Sequence, residues 1–487
     1  MVLGSHAPGP TVLERATSEL QGAQRSLAAG QGPGHGVPLD CRPGTDAASW
    51  VCGSTPRAQG DSAGPGNASN SGWTNLTGNL SPSPQPLSWG SMTYDSEDGY
   101  VLLFGGAIFN ATSALTNGII TSGNVSSQTW RFQNGSWTDL TSTVGTPPPP
   151  REEAMMVDDP SDGYVLLFGG TYSELCSNGA NGTVPEHPAG ANCSEYPGPF
   201  FYSFYPNDSW AFRAGTWSRL HPSESPAGRA LGQMAYDPRD GYVVLFGGLS
   251  GQGMTLTLGD TWTFSRGNWT DLTGTLPEAP PPRGMGGLAW DASDGFLLLF
   301  GGATYISTPP WTSGLPWEGF RNDTWTFVGG AWSNISSTLP LAPGPRANFE
   351  MDSGPRGGVL LFAGATVLGS FGDTWLFHDL RWWYLSPSLS TAPPSLEYAM
   401  TAFVPAQNTT LLFGGDGGTQ LRCGPGFCEN VQNYTWVFGP SAPDGFDNFS
   451  FPELTLTATP ASGWAPLNVS IGVRADGGRA PYRLALA

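Results

Sequence analysis

One short apolar strand, repeated six times, constrains this chain more than any other feature. It reads D-G-Y-V-L-L-F-G-G at residues 98–106 and again at 162–170. It recurs with small changes at 240–248 and 294–302, and more loosely in the stretches ending at Gly364 and Gly415. A continuous apolar run of this kind suits a strand buried on both faces. Six such strands, spaced about 50 to 80 residues apart, need neighbouring copies to bury against, which is the logic of repeat architectures.

Each copy lies in a unit of four strand-like segments. The first is a short apolar stretch, such as 154–157 or 233–236. A D-x-x-D-G turn follows at 95–99, 159–163, 237–241 and 291–295. There Asp bonds its own backbone and Gly accepts the positive φ of a tight hairpin. The repeated strand is second. The third carries [D/Q/Y]-[S/T]-W-x-F, at Trp130, Trp210, Trp262, Trp325, Trp375 and Trp436. The fourth reads W-x-x-[L/I], at Trp137, Trp217, Trp269, Trp332 and Trp382, each seven residues after the preceding Trp. Six four-stranded units predict an all-β fold, a six-bladed β-propeller. The paired Gly after an apolar strand, then an aromatic third and a Trp-bearing fourth strand, resembles the kelch repeat of galactose oxidase-like propellers. The resemblance covers residues 72–440.

The sixth unit has no W-x-x-L after Trp436, because Pro443 stands seven residues on. The missing segment occurs before the first unit, as Trp73-Thr74-Asn75-Leu76. Residues 73–77 are therefore expected to complete blade six, since tying the chain ends together removes open sheet edges.

The flanks differ in composition. Residues 1–71 are rich in Gly, Pro and Ser and read as a linker or stalk; Leu13, Ala16, Leu20 and Ala23 allow a short helix over 11–29. A linker spans 441–452. Residues 453–487 resemble the first half of a PKD domain, an immunoglobulin-like sandwich, without its later diagnostic motif. Two or three strands with an unfinished core are expected there, and the chain reads as a fragment.

A net charge of −19 leaves no basic stripe for phosphates, so no nucleic-acid partner is expected. No apolar run is long enough for a transmembrane segment, and no signal peptide is visible. The six Cys fall into local pairs, Cys41/Cys52, Cys176/Cys193 and Cys423/Cys428. These suggest loop-stapling disulfides and an oxidising compartment, in preference to metal sites, since no pair has a His beside it. Dense N-x-S/T sequons, at Asn67, Asn110, Asn207 and Asn322 among others, favour a glycosylated extracellular or cell-surface setting.

Candidate binding residues sit in the connections between second and third strands, which a propeller places on one face. The long ones carry Tyr172, Phe201, Tyr202, Tyr305, Trp311 and Trp317, flat apolar surfaces for a glycan or a protein ligand. Arg151, Arg229, Arg283 and Arg346 end Pro-rich linkers on the same face and could hold an anion. However, the third strands of those four blades begin with Asp208, Asp260, Asp323 and Asp373, while blades one and six lack both residues. Joint presence and absence points to an Arg–Asp bridge. The D-x-x-D-G turns offer too few oxygens for Ca²⁺. No catalytic, metal or cofactor motif is evident, and the five His show no clustered pattern. The expected function is a surface binding or adhesion module. The alternatives are a carbohydrate-active enzyme with its site at the channel mouth, signalled by paired carboxylates there, and a structural spacer without ligand.

Overall fold

The computed structural model describes residues 39–43, 49–54, 72–108, 124–176, 200–251, 256–305, 317–366, 369–417, 421–423, 426–428, 431–439, 453–459, 470–476 and 482–485. The chain divides into two compact units, residues 69–446 and residues 1–68 with 447–487.

The larger unit is a six-bladed β-propeller of four-stranded antiparallel sheets. Blade one comprises Ser91–Asp95, Tyr100–Phe104, Thr129–Gln133 and Ser136–Asp139. Blades two to five repeat that order, with inner strands Met155–Asp159, Gln233–Asp237, Gly287–Asp291 and Glu350–Ser353. Blade six contains Met400–Val404, Thr409–Phe413 and Thr435–Gly439, and its outermost strand is Gly72–Asn75. The inner strands abut one another in sequence, and Met400–Val404 returns to Ser91–Asp95.

The repeated motifs have direct structural causes. In the D-x-x-D-G turn, Oδ1 of the first Asp accepts backbone N–H groups; Asp95 accepts from Glu97 and Asp98, at 3.2 and 3.1 Å. The second Asp accepts from the tyrosine hydroxyl two residues on, as in Tyr100 to Asp98 at 3.0 Å, or from a neighbouring blade, as in Leu380 N–H to Asp294. At the paired glycines, φ is +72° for Gly105 and +92° for Gly106. A Cβ on Gly105 would lie 2.5 Å from the Arg151 carbonyl oxygen, and one on Gly106 would lie 2.8 Å from that of Ser88. Side chains are thus excluded by conformation and by space.

The two Trp series do different jobs. Each fourth-strand Trp packs between the Phe of its own third strand and a second-strand Phe of the preceding blade. Trp217 lies 5.0 Å from Phe212 and 5.1 Å from Phe104. Its indole N–H then donates to the hydroxyl that begins the preceding blade's third strand, Thr129, at 3.1 Å. The same bond joins Trp269 to Ser209, Trp332 to Thr261, Trp382 to Thr324, Trp73 to Thr374 and Trp137 to Thr435. Six bonds therefore run once around the disc, from every blade to its neighbour. The [S/T]-W-x-F motif encodes both ends: the hydroxyl serves the next blade, and the Phe serves its own.

In the smaller unit, Leu39–Pro43 and Ser49–Ser54 form a hairpin in which Cys41 stands opposite Cys52 in register. Glu453–Thr459 pairs with Ser470–Asp476. Tyr482–Ala485 pairs with Ser49–Ser54 instead. The segment read as a stalk thus supplies strands to the C-terminal end of the chain. The possible helix over 11–29 and the linker over 441–452 lie outside the described residues. Among the described residues no helix is long and apolar enough to cross a membrane.

Candidate functional site

The linker into each blade and the root of its second-to-third connection meet on one face. Ser88, Glu152, Ala230, Gly284, Ala347 and Glu397 each form an antiparallel bridge to the residue after the Gly-Gly position. Beyond each root the connection extends as a short hairpin, such as Ala107–Ile108 with Asn124–Val125 and Tyr172–Cys176 with Phe200–Phe204.

The expected arginines are buried beneath this face. Arg151 donates Nη1 and Nη2 to the two carboxylate oxygens of Asp208, at 2.6 and 2.9 Å. Nη1 also reaches the Gly169 carbonyl and Nε the Pro149 carbonyl. Arg229–Asp260, Arg283–Asp323 and Arg346–Asp373 repeat this arrangement. Each Asp also accepts the indole N–H of the Trp two residues on, as in Trp262 to Asp260 at 2.7 Å. Burial alone would raise the Asp208, Asp260 and Asp323 carboxyls. The Arg hydrogen bonds and charge outweigh it and hold them below the usual range. These four guanidinium groups are committed to protein acceptors, and the clamp fixes the Gly-Gly turn to the start of the third strand.

Tyr172 is half-buried, and its ring stacks on Phe204 at 5.2 Å. Phe201, Tyr202, Tyr305 and Trp317 lie in the strands of these hairpins, and their side chains lie outside those described, as does Trp311.

The three expected cysteine pairs fare differently at the level of the backbone. Cys41 and Cys52 face each other across their hairpin. Cys423 and Cys428 share the hairpin of Leu421–Cys423 with Gly426–Cys428, but they are not direct partners there. Cys428 stands opposite Leu421, and Cys423 stands opposite Gly426. Cys176 ends its strand opposite Phe200, and its expected partner Cys193 lies outside the described residues. The side chains of Cys41, Cys52, Cys176, Cys423 and Cys428 also lie outside those described, so the disulfides remain an expectation of the sequence.

A ring that the motifs do not announce surrounds the axis on the same face. Trp89, Glu153, Leu231, Met285, Asn348 and Tyr398 occupy the same position in the six blades, two residues after Arg or its substitute Leu. All six adopt left-handed backbone conformations, with φ between 55° and 60°. Each backbone N–H donates to the carbonyl of the preceding blade's residue: Glu153 to Trp89 at 2.7 Å, Leu231 to Glu153 at 3.1 Å, and so on until Trp89 donates to Tyr398 at 3.2 Å. The hydrogen bonds close a circle around the channel mouth. Such a backbone costs a non-glycine residue about 1–2 kcal/mol. Only the side chains differ from blade to blade.

Below the ring a cavity of about 460 Å³ runs along the axis to Pro238 and Pro405. Seven of the nine methionines line it. This unbranched, adaptable side chain suits the narrow inner edges of blades. Four acidic residues, Glu153, Asp158, Glu350 and Asp352, line it too, and the described lining includes no Arg or His. Burial pushes Glu153 and Glu350 well above the usual carboxyl range, helped by Glu152 and Asp352 respectively. Burial also raises Asp352 to about 7, although its carboxylate accepts the Phe403 and Ser353 N–H groups. These groups reach the channel yet are otherwise enclosed by protein. At the mouth, Trp89 and Tyr398 lie ring against ring at 4.8 Å, and the Asn348 amide nitrogen donates to the Tyr398 hydroxyl at 3.0 Å. Among the described residues, no three His, Cys, Asp or Glu side chains gather as metal ligands.

The six-membered ring could have been found by aligning the repeats on Arg and comparing the residue two places on. That position breaks an otherwise repeating frame. Glu350 and Asp352 carried no signal, because alternation in a strand does not say what its neighbours leave open.

No protein-family model matches the chain. No curated protein matches it. Among solved structures it is similar to one described as "Structure of YjhT", with 14% identity and a TM-score of 0.45, over 81% of this chain and 99% of that one.

Proposed function

We propose that the propeller is a ligand-binding module whose seat is the channel mouth, ringed by Trp89, Glu153, Leu231, Met285, Asn348 and Tyr398. One observation carries the reading. Six positions with the same backbone strain and the same circular hydrogen bonds hold six different side chains. Glycine would serve the backbone better at each. Strain kept together with varied side chains marks a place where the side chains matter. An aromatic pair beside a carboxyl and an amide suits a glycan, which offers apolar ring faces and hydroxyl groups. The kelch-like repeat, the PKD-like C-terminal stretch, the sequons and the paired cysteines support an extracellular or cell-surface adhesion role. The aromatic hairpins around the mouth would widen the contact to larger glycans or proteins. A glycan array probed with the whole protein tests this: binding that Trp89→Ala abolishes supports the reading, and binding unaffected by that change sinks it.

A second reading has its own observation. Glu350 and Asp352 stand in the channel, and a carboxylic acid kept protonated by burial is what a general acid needs at a glycosidic oxygen. It would make the protein a carbohydrate-active enzyme. Release of new reducing ends from a bound glycan, lost in Glu350→Gln, would decide for it; unchanged glycan after long incubation would decide against it.

A further inference from the structure

We infer that the channel mouth takes a ligand bearing an ammonium group, an amino-sugar unit of a glycan, in preference to a neutral or acidic unit. The inference rests on the ligand-binding reading above and specifies the ligand's charge.

The charged side chains in the described lining of the channel are all acidic. Glu153 comes from blade two, and Glu350 and Asp352 come from blade five, three blades away around a six-membered ring. Carboxyl groups thus face the axis from opposite sides, and the described lining includes no cationic side chain. A bound anion would find no opposite charge among them.

Two orphaned oxygens at the mouth make the preference sharper. Glu153 Oε2 and Asn348 Oδ1 are both inaccessible to solvent and have no hydrogen-bond partner. Asn348 spends its amide nitrogen on the Tyr398 hydroxyl, so its oxygen is the free end. Enclosed oxygen acceptors normally have partners. An ammonium head offers three N–H donors from a single point, and a positive charge with them.

The aromatic pair separates an organic ammonium from a metal ion. Trp89 and Tyr398 are half-buried, line the cavity and lie 4.8 Å apart. Aromatic faces attract a cation and also pack against the carbon skeleton that bears it. A hard metal ion such as Ca²⁺ would need six or more oxygens and would gain nothing from the rings. Burial favours the neutral Glu153 carboxyl, and an arriving ammonium would restore its ionised form.

The experiment is calorimetric titration of the whole protein with a glucosamine trisaccharide and with its fully N-acetylated counterpart, at a pH where the free amines are charged. The glucosamine trimer is expected to bind at least tenfold more tightly. Glu153→Gln should erase that preference, and a melting temperature near that of wild type shows that the variant is folded. Equal or tighter binding of the acetylated trimer, abolished by Trp89→Ala, would overturn the ammonium inference and leave the channel-mouth reading standing. Binding of neither trimer would overturn both. Two further titrants separate the sources of positive charge. Tighter binding of Nα-acetyl-lysine amide than of monomeric glucosamine would overturn the assignment to a sugar. Calcium ions that displace the glucosamine trimer at lower concentration than free glucosamine does would overturn the assignment to an organic cation.

Discussion

The Trp73 indole N–H donates to the Thr374 hydroxyl at 3.0 Å, across 301 residues of sequence. With Phe362 and Phe438 packed on either side of its ring, Trp73 couples the outermost strand of blade six to blade five. Five other Trp–hydroxyl bonds do the same between the remaining pairs of blades. Trp73→Ala should therefore destabilise the propeller as much as Trp269→Ala within the array, by about 3–5 kcal/mol each. Chemical denaturation of both variants compares them. A Trp73 variant as stable as wild type would mean that Gly72–Asn75 contributes little to holding the ring.

Asp260→Asn leaves the fully buried Arg229 guanidinium without its carboxylate. Breaking one partner of a buried pair costs about 3–5 kcal/mol, whereas replacing both by apolar residues is often neutral. Arg229→Met with Asp260→Leu should thus recover much of the loss. Thermal melts of the single and double variants show whether charge or packing dominates the clamp. A double variant less stable than Asp260→Asn would contradict this account.

Stability should rise as the solution is acidified from pH 8 towards pH 5. Burial raises Asp95, Asp159 and Asp291 to about 6 and Asp352 to about 7. A carboxyl whose folded pKa exceeds its unfolded value of about 4 binds protons more tightly when folded. Its contribution is complete below about pH 4 and is lost as pH rises through 6 to 7. Asp208, Asp260 and Asp323 are held low and act oppositely, so that contribution disappears only below about pH 4. The melting temperature should climb by several degrees between pH 8 and pH 5 and fall again below about pH 4. A melting temperature that decreases steadily from pH 8 to pH 5 would contradict the account.

At the mouth, Leu231→Gly separates backbone from side chain. The substitution loses a half-buried Leu and relieves a left-handed conformation at φ 55°. The two effects oppose each other at about 1–2 kcal/mol each. A melting temperature within a few degrees of wild type is expected. A large loss would show that the ring side chains hold up the fold and would weaken the case for their binding role.

The propeller was legible because its signals repeat. Six copies of one strand, Trp residues seven apart, and Arg and Asp that appear or vanish together each reduce to a single rule applied around a circle. What each Trp holds was not legible, although both ends were visible in [S/T]-W-x-F. The hydroxyl belongs to the preceding blade, and only the ring order supplies that partner. The pairing of Tyr482–Ala485 with Ser49–Ser54 had no signal either, since strands joined across more than four hundred residues leave no local pattern. The site was legible in its face and not in its residues. Long aromatic connections pointed to that face, while Trp89, Glu153, Asn348 and Tyr398 lie in the linkers beside them. The Arg in those linkers repeats and draws the eye, and the residue two places on does not repeat at all. The carboxyls of Glu350 and Asp352 escaped for another reason. An inner-strand residue turns toward a neighbouring blade or the axis according to what the neighbour leaves open, and that is a property of packing.

The most direct test of the account is glycan binding by the whole protein before and after Trp89→Ala, with Tyr172→Ala as a control outside the ring. The account predicts that Trp89→Ala weakens binding more than tenfold while the melting temperature changes by only a few degrees. It predicts a smaller loss from Tyr172→Ala. Full affinity in Trp89→Ala, with or without a loss in Tyr172→Ala, would contradict the placement of the site at the channel mouth.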